Sequence, residues 1–224
     1  MKTAIVIGAT GLVGKQLVSQ LIEHPEFSTV VVLVRRSTGI VDPKLQEVFV
    51  SFDELICSKQ EIKGDVLFSC MGTTMKQAKT KENQYKVDYT YQFKTAELAV
   101  SNGVKTYVLV SSAGADPKSR TFYTRIKGEL EEAVNQLPFD KIRILRPSFL
   151  MGNRTEFRLG EIIGTSVMNF FAAIIPPLKK WRGIEDKEVA RAMIASALDS
   201  STEKVIVTEL DEIFNLYPLL KPSE

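Results

Sequence analysis

Apolar residues alternate along the chain between short unbroken runs and longer stretches with an apolar position every three or four residues. Thr3 to Ile7 reads as a strand, and Val13, Leu17 and Leu21 share one face of the helix behind it, which ends near His24-Pro25. Thr29 to Val34 is β-branched and nearly all apolar, as suits a strand buried on both faces. A weaker strand is expected at Glu47 to Phe52, then a short helix from Asp53, then an apolar strand from Asp65 to Cys70. The spacing next predicts one long helix from about Lys81 to Asn102, with Tyr89, Phe93, Ala96 and Val100 on its buried stripe and Gly103 just past its end. Thr106 to Val110 is a strand, Tyr123, Ile126, Leu130, Val134 and Leu137 mark a helix, and Lys141 to Leu145 is a further strand. Asp186 to Leu198 reads as an amphipathic helix with Val189, Met193 and Ala197 inside, and Lys204 to Thr208 as the last strand.

Apolar strands alternating with amphipathic helices predict an α/β fold, a Rossmann-type doubly wound parallel sheet with helices on both faces. With 224 residues and 44% hydrophobic content, residues 1–224 suffice for a single domain with a sizeable core, and residues 149–182 are expected to form a small substrate lid. In such sheets ligands bind beyond the carboxyl ends of the strands. The glycine-rich and polar loops fall at those ends, at Gly8 to Gly14, Arg35-Arg36, Cys70 to Thr74, Ser111-Ser112 and Arg146-Pro147.

Composition narrows the partners. A formal net charge of +2 provides no long-range field for nucleic acid or an anionic membrane surface, so neither is expected as a partner. Two cysteines, Cys57 and Cys70, make no disulfide framework, and one histidine without a CxxC argues against a zinc site, so no metal is expected. The N-terminus lacks the pattern of a secretory leader, and the longest later apolar stretch, Phe170 to Pro177, is far short of a membrane span. A reduced, cytoplasmic protein is expected.

The loop Gly8-Ala9-Thr10-Gly11-Leu12-Val13-Gly14 stands between the first strand and the first helix. Glycines three apart let the backbone turn tightly and approach a diphosphate, while the helix N-terminus attracts its charge. The second strand's end selects the cofactor: an acid there binds ribose hydroxyls, whereas a basic residue accommodates a 2′-phosphate. Arg35 and Arg36 stand there with no acid, so NADP(H) is favoured over NAD(H).

Tyr123 and Lys127 are four apart on a helix and so share a face. A free phenol has a pKa of about 10, and a neighbouring ammonium stabilises its phenolate. With the hydroxyl of Ser112 orienting a carbonyl oxygen, Tyr123 has the chemistry to donate its proton as hydride arrives, and Lys127 to hold the nicotinamide ribose. A YxxxK string is weak by itself, but here it comes after a dinucleotide loop and a serine in the right order.

These residues resemble the short-chain dehydrogenase/reductase superfamily, and within its atypical branch the Tat-interactive protein family of NADP(H)-binding oxidoreductase-like proteins and its small bacterial relatives. The strings that carry the resemblance are Val6 to Gly14, Arg35-Arg36, Cys70-Met71-Gly72-Thr73-Thr74, Val87-Asp88-Tyr89, Ser111 to Asp116, Tyr123 to Lys127, Arg146-Pro147 and Val189 to Met193. The resemblance implies that Gly8, Thr10, Gly11, Leu12 and Val13 line the diphosphate and that Arg35 and Arg36 meet the 2′-phosphate. It places Gly72 and Thr73 against the ribose, with Cys70 and Met71 of the same string among the cofactor contacts, and Pro147 along the nicotinamide. Ser112, Tyr123 and Lys127 fall at the reacting carbonyl, Ser111 being the alternative to Ser112. Asp88 stands where many superfamily members carry an asparagine, and Ser51 where relatives often carry the adenine-binding aspartate, which leaves Asp53 as the candidate there.

Phe157, Ile162, Ile163, Val167, Phe170, Phe171, Ile174, Ile175 and Trp181 line a pocket or dimer face on one reading and simply pack on the other. Lys76, Lys79, Lys81 and Lys86 are interspersed with acids and read as a solvated face. Two functional classes stand: an NADP(H)-dependent reductase or dehydrogenase of a small carbonyl compound, and an NADP(H)-binding redox sensor or regulator with little turnover. A homodimer or a regulatory protein partner is compatible with either.

Overall fold

The apolar runs form β1 (Lys2–Ile7), β2 (Phe27–Val34), β3 (Leu45–Phe49), β4 (Val66–Ser69), β5 (Thr106–Val110) and β6 (Lys141–Arg146). The short β7 (Leu150–Met151) and β8 (Ile184–Glu185) pair with each other, and β9 (Val205–Glu209) is the last strand. All but β7 and β8 join in one wholly parallel seven-stranded sheet, in the order β3-β2-β1-β4-β5-β6-β9. The structure, a computed structural model, describes residues 1–148, 150–151 and 183–216. Phe149 and residues 152–182, which carry the expected lid positions from Phe157 to Trp181, lie outside them.

Winding starts at β1 and proceeds outward to β3, then returns to β4 on the other side of β1, which is the doubly wound order. The period-2 alternation of β1 explains why both faces must be covered. Ala4 and Val6 point to one side and Ile5 and Ile7 to the other, and all four are wholly buried. The first side is closed by α1 (Leu12–Glu23) and α6 (Asp186–Leu198), through Leu17 and Leu21 on one helix and Val189 and Met193 on the other. The second is closed by α4 (Tyr91–Ser101), α5 (Phe122–Asn135) and a 3₁₀ segment (Phe52–Glu61). Burying each such leucine or valine contributes about 1.5–3 kcal/mol.

One expected element differs. The long helix over Lys81 to Asn102 is α3 (Lys81–Tyr85), a π-turn (Lys86–Thr90) and α4, with a separate single turn, α2 (Met75–Ala78), before it. A π-turn inserts one residue and so rotates the downstream half by roughly 100° relative to a regular helix. The most buried positions are Asp88, Gln92, Thr95, Ala96 and Ala99, all but Ala96 one position away from the expected stripe, while Tyr89, Phe93 and Val100 are only half-buried. Tyr85, Tyr89 and Phe93 instead stack as a ladder along the flank of the helix, with ring centroids 4.9 and 5.8 Å apart.

At the far side of the sheet an ion pair ties β6 to the loop after α6. The guanidinium of Arg143, 2% exposed, grips Asp199 through Nε at 2.5 Å and Nη2 at 3.0 Å, and donates from Nη1 to the carbonyls of Ile142 and Glu203.

Candidate active site

The register of the sheet brings the loops together. Ile7 pairs with Leu33 and Ser69, Ser69 with Leu109, and Leu109 with Ile144, so β1, β2, β4, β5 and β6 end at nearly the same level. The residues immediately beyond are Gly8, Arg35, Cys70, Ser111 and Pro147, all at one edge.

Gly8 has φ +81°, a conformation that favours glycine, and a Cβ there would stand 2.6 Å from the backbone of Cys70. Gly14 faces the same turn from the helix side, where a Cβ would meet the Gly8 carbonyl oxygen at 2.1 Å. The turn from Gly8 to Gly11 is therefore packed tightly between the backbone of Cys70 and the first turn of α1. That turn carries no acidic residue and its cap, Gly11, has no side chain to satisfy the leading N–H groups. Open donors at a positive helix end beside a side-chain-free loop fit a dinucleotide diphosphate.

Arg35 and Arg36 are exposed directly after Val34. Two acids stand near the loop that follows, and both are engaged: Asp42 accepts the Lys44 N–H at 2.8 Å, and Glu47 of β3 takes both the N–H (2.6 Å) and the hydroxyl (2.5 Å) of Thr38 at Oε1. Those bonds hold the Glu47 carboxyl below its ordinary range. Asp53 lies in the 3₁₀ segment, accepts from the Tyr91 hydroxyl at 2.9 Å and pairs with Lys86 at 3.5 Å. The hydrogen bond from Tyr91 is the main reason its carboxyl is lowered.

Beyond β4, the loop Cys70 to Thr73 runs past a buried polar hub that sequence patterning does not reveal. Asp88, wholly buried in the π-turn, accepts the Thr73 N–H at 3.0 Å through Oδ2 and pairs at 3.0 Å with the Lys127 ammonium through Oδ1. Oδ1 makes that ion pair without an aligned hydrogen bond. Gln92 donates to the Asp88 carbonyl at 2.9 Å and accepts from the Ser69 hydroxyl at 2.7 Å, which binds the hub to the end of β4. Gly72 covers it, 3.4 Å from Asp88 Oδ1 at the position a Cβ would take.

Lys127 is 2% exposed, and its ammonium lies 5.9 Å from the centre of the Tyr123 ring one turn earlier. Burial alone pulls this lysine down, but the Asp88 carboxylate, with Tyr123 and Glu131 adding, leaves it above the ordinary lysine value. It is thus a fixed cation, with the Met71 carbonyl 3.5 Å away as a further acceptor. Burial also pushes the Cys70 thiol well up, so it is protonated; its sulfur packs 3.7 Å from that of Met193.

The two serines after β5 have different surroundings. Ser111 is buried and donates its hydroxyl to Glu131, which also holds Arg146 through Nε at 3.1 Å. Ser112 is half-buried, and among the described residues its hydroxyl meets the carbonyl of Ala113, at 3.3 Å. Its loop is held on two sides: Ala113 donates its N–H to the Pro147 carbonyl at 3.1 Å, and Asp116 donates its own to the Thr124 carbonyl at 3.1 Å. Ser112, Tyr123 and Pro147 are thereby drawn to one region, with Lys127 behind them. Glu131, Gln92 and Gly128 also belong to this framework, and in the sequence their one signal is polar or small residues interrupting helical apolar stripes.

Comparisons with known proteins bear on the family and the fold. The family model for the NAD-binding domain of semialdehyde dehydrogenase matches residues 3–93. The mitochondrial protein fmp52 of Emericella nidulans is 32% identical over 212 residues, covering 92% of this chain and 91% of that protein. Protein HTATIP2 of Rattus norvegicus is 31% identical over 219 residues, 96% of this chain and 89% of that one. The chain belongs to the FMP52/HTATIP2 family of atypical short-chain dehydrogenase/reductases. Among solved structures, MoeE5 in complex with UDP-glucuronic acid and NAD shares 17% identity at a TM-score of 0.70, covering 93% of this chain and 76% of that one. A short-chain dehydrogenase/reductase superfamily protein from Agrobacterium tumefaciens with bound NAD shares 16% at 0.69, covering 93% and 77%. At those identities the likeness concerns the fold, the NAD(P)-binding Rossmann fold of the family.

The family corrects one expectation. Its fungal members from Emericella nidulans, Candida albicans and Eremothecium gossypii are named mitochondrial, which overturns the cytoplasmic location expected from composition. Two free thiols require only a reducing environment, and that does not separate one reducing compartment from another. Among the described residues, no helix is long and apolar enough to cross a membrane.

Proposed function

We propose that this protein is an NADP(H)-dependent oxidoreductase that interconverts a small carbonyl compound and its alcohol, with Tyr123 as the acid and base. The observation that carries this reading is the buried cation. Lys127 is fixed one turn from Tyr123 and beside the Gly72 loop, which sets a permanent cation next to the candidate proton donor at the carboxyl edge of the sheet. Ser112, whose hydroxyl is not drawn into the Glu131 cluster that takes Ser111, is the group that orients the substrate oxygen. Arg35 and Arg36, exposed at the end of β2, support a 2′-phosphorylated cofactor over its unphosphorylated counterpart.

A bound dihydronicotinamide supplies the hydride. Tyr123 delivers its proton to the carbonyl oxygen as the carbon is reduced, and Lys127 keeps positive charge beside the phenol through the step. Gly72, Thr73 and Pro147 are the residues that would lie along the ribose and the ring with the cofactor bound, the Thr73 N–H itself being held by Asp88.

The test is a panel of aldehydes and ketones with NADPH. Turnover is expected for the wild type, with a loss of roughly a hundredfold or more in Tyr123→Phe and cofactor affinity retained. Tight NADPH binding without turnover on any member of the panel would overturn the enzymatic reading in favour of a redox sensor.

A further inference from the structure

Lys127 does not stand alone beside Tyr123. A single ammonium one turn from a phenol favours the phenolate, and its influence falls slowly with distance. An ammonium with a carboxylate 3.0 Å away is a dipole whose field falls much faster. Both partners here are out of solvent, at 2% and 0% exposure, so water does little to screen either. The π-turn is what points Asp88 inward, and the Thr73 N–H and the Gln92–Ser69 chain keep it there.

We propose that Asp88 is a positioning residue that acts on Tyr123 through Lys127: it fixes the ammonium and offsets its charge, so that Tyr123 holds its proton for delivery to a carbonyl oxygen into the alkaline range. The inference rests on the reading of Tyr123 as proton donor. In the step concerned, the carbonyl carbon gains a hydride from a dihydronicotinamide and the oxygen gains the phenol proton. The phenolate left behind regains a proton from solvent. A site so arranged moves the pH range of both directions upward, because carbonyl reduction starts from the phenol and alcohol oxidation from the phenolate.

The other charged groups around the pair leave this balance in place. Lys127 faces Asp88 from the π-turn, Tyr123 and Glu131 from its own helix, and the Met71 carbonyl from the loop after β4. Glu131 is itself paired with Arg146 of β6 and takes the Ser111 hydroxyl. Cys70, in that same loop, is kept neutral by burial.

Ultraviolet absorbance of phenolate tests the proposal without turnover. The chain has 6 tyrosines, so the Tyr123 component is isolated by subtracting the titration of Tyr123→Phe from that of the wild type. The same subtraction is then made in an Asp88→Asn background. The proposal expects the Tyr123 component of Asp88→Asn to emerge at lower pH than in the wild type, and to return to its wild-type position in Asp88→Glu. If Asp88→Asn fails to fold, Asp88→Ser removes the carboxylate while leaving room for water and carries the same expectation. A component at the same pH in both backgrounds, with only stability reduced, would show that Asp88 serves structure alone and overturn the proposal. Absence of turnover in the wild type is a separate result that bears on the oxidoreductase reading, because the titration requires none.

Discussion

Gly128 of α5 lies so close to Asp116 that a Cβ on it would stand 2.3 Å from the Asp116 carbonyl carbon. The contact seats the loop carrying Ser112 on the helix carrying Tyr123 and Lys127. Gly128→Ala must push backbone against backbone, where no flexible side chain gives way. We expect a loss of about 1–3 kcal/mol, read from the urea midpoint. Turnover should fall more than NADPH affinity, because the diphosphate loop at Gly8 is on another part of the edge.

Arg35→Asp should separate the two nicotinamide cofactors. Losing a charge-assisted contact to the 2′-phosphate costs about 1.5–3 kcal/mol, or roughly ten- to a hundredfold in affinity. Calorimetric titration should show that loss for NADPH and a much smaller change for NADH. Equal losses would refute the assignment of the arginines to the 2′-phosphate.

Lys127→Met should be costly to the fold as well as to activity. It strands the Asp88 carboxylate among buried groups, at a cost of about 3 kcal/mol. The pH dependence has a definite sign. The native lysine sits above its ordinary 10.5, so the pair stabilises fully below that value and is lost as pH rises through the raised native one. The urea midpoints of wild type and variant should therefore differ by a constant amount through neutrality and converge only in strong alkali.

The Arg143–Asp199 tie should respond to acid instead. Burial raises the Asp199 carboxyl, but the Arg143 fork, the Ser201 N–H and Lys141 outweigh it and leave the group below its usual 3.8. Its contribution is present above 3.8 and is lost as pH falls through the lower native value. Asp199→Asn should lower stability by about 2 kcal/mol near neutrality, less than a fully stranded charge would, because Arg143 keeps its carbonyl partners. Denaturation at neutral and at acid pH checks this; the difference from wild type should shrink in acid.

The order of elements was legible because parallel strands buried on both faces announce themselves as apolar runs, and six of the seven sheet strands begin and end within about two residues of the expected positions. The glycine loop and the ends of β2, β4, β5 and β6 could be placed for the same reason. The face of the helix after Lys81 could not. The stripe read from the sequence followed the aromatic residues, whereas the inward face carries Asp88 and Gln92, polar groups satisfied by Thr73, Lys127 and Ser69 from distant parts of the chain. The difference in surroundings between Ser111 and Ser112 likewise comes from Glu131, twenty residues away and invisible to local pattern. Compartment was beyond composition altogether, since it is set by sorting and not by folding.

The π-turn also gives this helix two phases in place of one. Residues before Lys86 and after Thr90 answer to different rotational origins, so a single-residue insertion or deletion between them would reset one half without altering the other. Deleting one residue there would change the rotational setting of Asp88 relative to Lys127. The length of this five-residue stretch, and not only the identity of its side chains, therefore sets whether position 88 faces Lys127.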